Sequence, residues 1–354
     1  MLRATMNCPA PAAAPTDPRA EAARRWAAGR LGVEGGQFAQ ASADASFRRY
    51  FRLSDGARSW IVMDAPPERE DCRPFVTVAR LLRRWGLNAP EIVAEDLAQG
   101  FLLLSDLGRQ TYLEALTEHN ADAPRVDSLF ADAVGALVHA QARAAAEPAA
   151  LQALPAYDAT LLWREARLFG EWYLPRHLGV TLHGEEAGEL ERVLGLLVKS
   201  ALAQPRTFVH RDYMPRNLMV STPNPGILDF QDAVVGPISY DAVCLFRDAF
   251  LSWPLVRVEG WLRGYWEQAR AAGLPLPAAF ADFRVQAEWM GLQRHLKVLG
   301  IFARLTYRDG KAPYVADTPR FVRYVMEVAP RHAELAPLAR LFEKHVLPRV
   351  PAGW

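Results

Sequence analysis

The chain has 354 residues, 51% of them hydrophobic and 23% charged, with 41 Lys and Arg against 40 Asp and Glu. That length exceeds what one compact core usually holds, so two lobes are expected. A net charge of +1 with no long basic run gives no electrostatic case for nucleic acid or an anionic membrane as partner.

The three cysteines, Cys8, Cys72 and Cys244, are odd in number and far apart. They suit a reducing cytoplasm better than a disulfide framework or a metal cluster. No apolar run approaches the roughly 20 residues that cross a bilayer, and the first residues lack the apolar core of a signal peptide. Residues 1–16 read as a disordered tail, and a cytoplasmic protein with no obligate protein partner is expected.

In chain order, Asp17 and Pro18 make an N-cap and first-turn proline for a helix to about Leu31. Phe47–Leu53 and Trp60–Met63 flank a Ser54–Gly56 turn and read as a hairpin. Phe75, Val78, Ala79 and Leu82 recur at helical spacing, predicting a helix from Pro74 to Trp85 that Gly86 stops. Short strands are expected at Glu91–Ala94 and Phe101–Leu104. From Pro124 the pattern turns helical: Val126, Leu129, Phe130, Ala133, Val134, Leu137 and Val138 form one apolar stripe. Leu161, Leu162, Leu168, Phe169 and Trp172 form another, with Glu165 at its edge. Thr207–Val209, Leu218–Val220 and Ile227–Leu228 interrupt the helices as brief strands, the last two joined by the turn Ser221–Gly226. The fold class is therefore α+β, with a β-rich first lobe over 17–104, a joining segment at 105–108 and a helical second lobe over 109–354.

The polar residues of chemical interest sit at the ends of those brief strands, in His210-Arg211-Asp212-Tyr213-Met214-Pro215-Arg216-Asn217 and in Asp229-Phe230. Phosphoryl transfer from ATP asks a protein mainly for positioning and charge neutralisation. Asp212 suits the carboxylate that meets an acceptor hydroxyl. Asn217 and Asp229 suit the oxygen ligands that a hard magnesium ion prefers. A His–Asp pair that only ties a loop together is the plainer reading of an isolated tripeptide. The coincidence of residue types, spacing and strand ends favours the chemical one.

These segments resemble the catalytic and metal loops of the aminoglycoside phosphotransferase and choline kinase relatives of the protein kinases, from about Gln37 to the C-terminal helices. The resemblance implies a two-lobed, protein-kinase-like fold with ATP in the cleft and Mg2+ as cofactor. By position, Asp212 would be the catalytic base, Asn217 and Asp229 the magnesium ligands, and His210 a support for the loop. Asp241 would be a buried brace accepting backbone N–H bonds. The backbone of Ser105, Asp106 and Leu107 would meet adenine.

Three departures from the family pattern stand out. Asp229-Phe230-Gln231 lacks the glycine of the protein-kinase motif, which argues against a protein substrate. The segment Ser42–Arg52 has no glycine run; Ser46, Phe47, Arg48 and Arg49 are expected at the ATP phosphates there, with Arg52 adding charge. The following strand carries Met63 and Asp64 where the family places a phosphate-gripping lysine, and the first lysine of the chain is Lys199.

Asp44-Ala45-Ser46-Phe47-Arg48-Arg49-Tyr50-Phe51-Arg52, Met63-Asp64-Ala65-Pro66-Pro67-Glu68, the 210–217 loop and Arg294–Leu305 together resemble one branch of that family. Its members phosphorylate the anomeric 1-hydroxyl of N-acetylmuramate and N-acetylglucosamine in peptidoglycan recycling. A small-molecule sugar is thus the expected partner, with Arg294, Lys297 and Asp232 as candidate sugar contacts. Arg294, His295 and Lys297 are the candidate cations for a lactyl carboxylate, and of these Arg294 and Lys297 share one helix face. A kinase of aminoglycoside or choline type, and an idle nucleotide-binding module, are the alternatives.

Overall fold

A computed structural model of the chain describes residues 17–33, 35–43, 47–117 and 123–351. The chain divides into two compact units. One comprises the chain up to Arg73 with Glu91–Asp106, and the other Pro74–Pro90 with the chain from Leu107 onward.

In the first unit, helix α1 (Pro18–Leu31) starts where the Asp17 carboxylate accepts the N–H groups of Arg19 and Ala20, and ends at Gly32 in a left-handed conformation. Strands β1 (Gln37–Ala43), β2 (Arg49–Ser54), β3 (Ser59–Asp64), β4 (Ile92–Asp96) and β5 (Phe101–Ser105) form one antiparallel sheet in the order β1-β2-β3-β5-β4. Strand β1 is an addition to the sequence reading: Gln37-Phe38-Ala39-Gln40 carries no β-branched residue, and its register slips at a bulge between Gln40 and Ser42. Ala23 and Ala27 of α1 pack with Leu53, Val62, Phe101 and Leu103 of the sheet. Asp64, at the end of β3, is fully buried and takes Arg19 of α1 at 2.7 Å and Arg49 of β2 at 3.0 Å.

Helix α2 (Arg73–Arg84) buries Phe75, Val76, Val78, Ala79, Leu81 and Leu82 and groups with the second unit. Its aromatic ends explain why. Phe75 lies 4.8 Å from Phe230, and Trp85, just past the helix, packs edge-on to Phe208 at 5.7 Å. The other helices of this unit are α3 (Tyr112–Thr117), α4 (Ala123–Ala146), α5 (Ala159–Ala166), α6 (Gly184–Ala203), α7 (Tyr240–Phe246), α8 (Leu255–Ala271), α9 (Phe280–Tyr307), α10 (Thr318–Val328) and α11 (Ala336–Leu341). The apolar stripe expected to continue α5 does so in wider π turns over Phe169–His177, a stretch that contains Pro175 and its missing N–H.

Helix α9 runs through the main core. Gly300 is required there, because a Cβ would sit 2.3 Å from the Leu168 carbonyl carbon. That close approach fixes the register of α9 against the end of α5. No helix among the described residues is long and apolar enough to cross a membrane.

Candidate active site

Two small ladders frame the 210–232 region of the second unit. Strand β6 (Arg206–Val209) pairs antiparallel with β9 (Val234–Pro237), and β7 (Leu218–Met219) with β8 (Gly226–Ile227). The loop of interest leaves β6 at Val209 and re-enters at β7, and Asp229 follows β8. Two non-glycine residues here have left-handed backbones, Arg211 at φ 75° and Asp229 at φ 61°. Each costs on the order of 1–3 kcal/mol and persists only where its surroundings over-determine it.

Asp241, fully buried in α7, supplies much of that determination. One carboxylate oxygen accepts the His210 N–H at 2.6 Å and the other the Arg211 N–H at 3.0 Å. Burial pushes its pKa up to about 7, against the pull of the two amides. His210 is buried as well, with its pKa lowered to about 4 by desolvation while the charge of Asp212 works the other way. Neutral, it donates from Nε2 to the Leu228 carbonyl at 3.0 Å, leaving Nδ1 to accept the Asp212 N–H at 3.3 Å. The histidine thus ties the Asp212 turn to the strand end preceding Asp229.

Asn217 closes the loop. Its Nδ2 donates to the Asp212 carbonyl at 2.9 Å and to Asp229 Oδ2 at 3.3 Å, which directs the amide oxygen away from both. Gln231 Nε2 donates to Asp229 Oδ1 at 2.9 Å, while Gln231 Oε1 is buried with no hydrogen-bond partner. An amide oxygen, a carboxylate and an orphaned oxygen in one place form a hard donor set of the kind magnesium takes. No group of three or more His, Cys, Asp or Glu converges among the described residues, and a magnesium site completed by phosphate oxygens does not need one. The Asp212 carboxylate, half-exposed, accepts no hydrogen bond from the described residues.

Behind this loop lies a buried ionic group that the sequence shows only as an acid beside an apolar stripe. Glu165 of α5 takes the guanidinium of Arg211, the ammonium of Lys297 at 3.2 Å and the hydroxyl of Tyr157. Lys297 Nζ also donates to Tyr240 Oη at 3.0 Å. Burial alone raises the pKa of Glu165, but Lys297 and Arg211 outweigh it and hold the carboxyl below its usual range.

The remaining expected site residues fall as follows. Arg294 is buried and donates to the Arg247 carbonyl at 3.2 Å, and Lys297 is buried on Glu165. Asp232 is exposed, 3.5 Å from Gln231 Nε2. In the first unit, Phe47 is exposed under the Arg69 guanidinium at 4.1 Å, and Arg48 is half-buried. Arg49 is ion-paired with Asp17 and Asp64. Ser105 exchanges hydrogen bonds with Glu91, its Oγ accepting at 2.8 Å and its N–H donating at 2.9 Å. The Asp106 carboxylate takes Arg52 at 2.6 Å and the Ser59 hydroxyl at 2.7 Å. Leu107, where the chain re-enters the second unit, is half-buried. Ser46 lies outside the described residues.

A profile described as phosphotransferase enzyme family matches residues 37–280. The chain belongs to that family. It is 57% identical over 301 residues to a protein of Pseudomonas aeruginosa named N-acetylmuramate/N-acetylglucosamine kinase, covering 85% of this chain and 86% of that protein. A Neisseria meningitidis protein of the same name is 46% identical over 303 residues, covering 85% and 88%. Among solved structures, a choline/ethanolamine kinase family protein of Mesorhizobium loti superposes with a TM-score of 0.61 at 18% identity, covering 91% of this chain and 99% of that one. An ADP-bound aminoglycoside phosphotransferase does so with a TM-score of 0.56 at 13% identity, covering 86% and 97%. The two-lobed α+β kinase-like fold and a phosphotransferase activity follow from these matches.

Proposed function

We propose that this phosphotransferase moves the γ-phosphoryl group of ATP to the anomeric 1-hydroxyl of an amino sugar, N-acetylmuramate or N-acetylglucosamine, with Asp212 as base. The observation that carries the reading is the unengaged Asp212 carboxylate on a loop whose backbone Asp241, His210 and Asn217 hold in place. The sugar class is taken from the relatives that are 46% and 57% identical.

In the reaction the sugar oxygen bonds to the γ-phosphorus as the bond to the ADP oxygen breaks, and the hydroxyl proton passes to the Asp212 carboxylate. An anomeric hydroxyl is more acidic than an ordinary alcohol, so Asp212 orients it first and takes the proton late. Asn217 and Asp229 are the residues that would hold Mg2+, which when bound neutralises the phosphate oxygens. Gln231 keeps the Asp229 carboxylate oriented for that role.

Nucleotide contacts are assigned to Ser46, Phe47, Arg48, Arg49 and the backbone at Ser105, Asp106 and Leu107, and Asp232 is assigned to a sugar hydroxyl. Arg294 and Lys297, being buried, are assigned to the surroundings of Asp212 in preference to the sugar itself. The setting is cytoplasmic peptidoglycan recycling. An idle nucleotide-binding module is the second reading, favoured by Arg49 already being paired with two carboxylates where no lysine is present. ADP release with Mg-ATP against N-acetylmuramate, N-acetylglucosamine, glucose, choline and kanamycin separates the readings. Turnover confined to the two amino sugars supports the first. Stabilisation by Mg-ATP with no ADP from any acceptor supports the second.

A further inference from the structure

The phosphoryl-transfer reading leaves Glu165 without a role, although it is the acid that breaks the apolar pattern of α5. Its side chain is 6% exposed, yet it carries two full cations, Arg211 and Lys297, on the same oxygen, with the Tyr157 hydroxyl on the other. A buried Lys297 and a partly buried Arg211 on one buried carboxylate leave a positive charge uncompensated, and such groups persist only when the surroundings supply the balance. Asp212 is the next residue after Arg211, and its negative charge acts on Arg211, Lys297 and Arg294 alike.

The backbone conformation ties this cluster to the reaction. Arg211 has a left-handed backbone that a residue with a Cβ resists, and the following peptide unit aims Asp212. Its N–H is held by Asp241 and its carbonyl accepts from Cys244 Sγ at 3.6 Å. Its guanidinium is held by Glu165, while Arg211 Nε is buried with no partner. Releasing the guanidinium would let the residue relax toward an ordinary conformation and swing Asp212 with it. The α5–α9 approach at Leu168 and Gly300 sets Lys297, one turn earlier on α9, against Glu165, one turn earlier on α5.

We propose that Glu165 is a positioning residue for the transfer. It clamps the Arg211 guanidinium and so maintains the kink that points Asp212 at the acceptor hydroxyl, while Lys297 fixes Glu165 in the orientation that does this. The proposal rests on Asp212 being the base.

The test is steady-state kinetics on the full chain with Mg-ATP and N-acetylmuramate, together with melting temperatures and ATP affinity, for five variants. These are Glu165→Gln, Arg211→Met, the double Glu165→Gln/Arg211→Met, the double Glu165→Gln/Lys297→Met, and Asp212→Asn. A clamp predicts that Glu165→Gln lowers kcat about 100-fold while the KM values and ATP affinity change less than about threefold. Arg211→Met does the same, and combining it with Glu165→Gln adds little, because both act through one contact. Glu165→Gln/Lys297→Met removes an acid and a cation together, so the melting temperature recovers while kcat stays low. The clamp is overturned by wild-type kcat in a folded Glu165→Gln, by losses that multiply in the Arg211 double, or by kcat recovering with stability in the Lys297 double. Retained turnover in Asp212→Asn instead removes the base on which the clamp depends.

Discussion

The two units put their arginines to different uses. In the sheet unit, Arg49 and Arg52 lie on a strand with their guanidinium groups partly solvated, and each is paired with carboxylates of its own unit, Asp17 and Asp64 or Asp106. In the helical unit, Arg211 of the Asp212 loop pairs with Glu165 while Asp241 holds its N–H, and the buried Arg294 donates to the Arg247 carbonyl. The side chains of Asp64, Asp106 and Glu165 are all buried, so breaking any of these pairs leaves a carboxylate short of a cation and is costly. The difference lies in what each pair holds: Arg49 and Arg52 tie strand β2 to other segments of the sheet unit, and Arg211 belongs to the loop that carries Asp212. Neither charge near a loop nor burial tells a binding residue from a scaffold residue here, because Arg52 and Arg211 are about equally shielded.

The largest effect that sharpens this contrast is at the scaffold's focus. Asp212→Asn should lower kcat about 10³-fold and leave ATP affinity nearly unchanged, as measured by ADP release and calorimetry. Asp241→Asn sets an amide NH2 against one of the two loop N–H groups that its oxygens accept, and should cost about 1–3 kcal/mol in urea unfolding together with most of the turnover.

His210 gives a pH test of the same scaffold. Its pKa falls from 6.5 to about 4 on folding, so its contribution is complete above pH 6.5 and is lost as pH falls through about 4, at most about 3 kcal/mol. Asp241 and Asp248 run the other way. Their pKa values are raised to about 7 and about 6, so what they contribute is present at low pH and lost as pH rises. The difference between wild type and His210→Asn isolates the histidine, and should shrink as pH drops from 6.5 to 4. A constant difference across that range would mean the ring is not held neutral.

The smallest effect belongs to the sheet unit. Arg49→Ala should weaken ATP binding about tenfold if its guanidinium turns to phosphate. Lost stability with unchanged affinity would make it a strut for Asp64.

Much of this was legible in the sequence because it is local. The 210–217 loop and Asp229 are separated by a single hairpin, so spacing alone brought Asp212, Asn217 and Asp229 together. The helix starting at Pro18 was announced by its cap and proline. What was not legible depends on contacts between distant segments. Glu165 and Lys297 are 132 positions apart in the chain and meet because Gly300 lets α9 approach Leu168. An acid beside an apolar stripe was the one available sign, and it does not name a partner. Strand β1 gave no alternation strong enough to read, since its pairing with β2 supplies what its own residues lack. The burial of Arg294 was equally hidden, because a basic pair at helical spacing looks the same on a solvated face and in a core.

The central claim is phosphoryl transfer from ATP to an anomeric oxygen with Asp212 as base, and phosphorus NMR of the product tests it most directly. With N-acetylmuramate and Mg-ATP, the account predicts ADP and a sugar phosphate whose phosphorus couples to the anomeric proton, formed by the wild type and not by Asp212→Asn. A phosphate on any other oxygen, or the same product from Asp212→Asn at the wild-type rate, would contradict it.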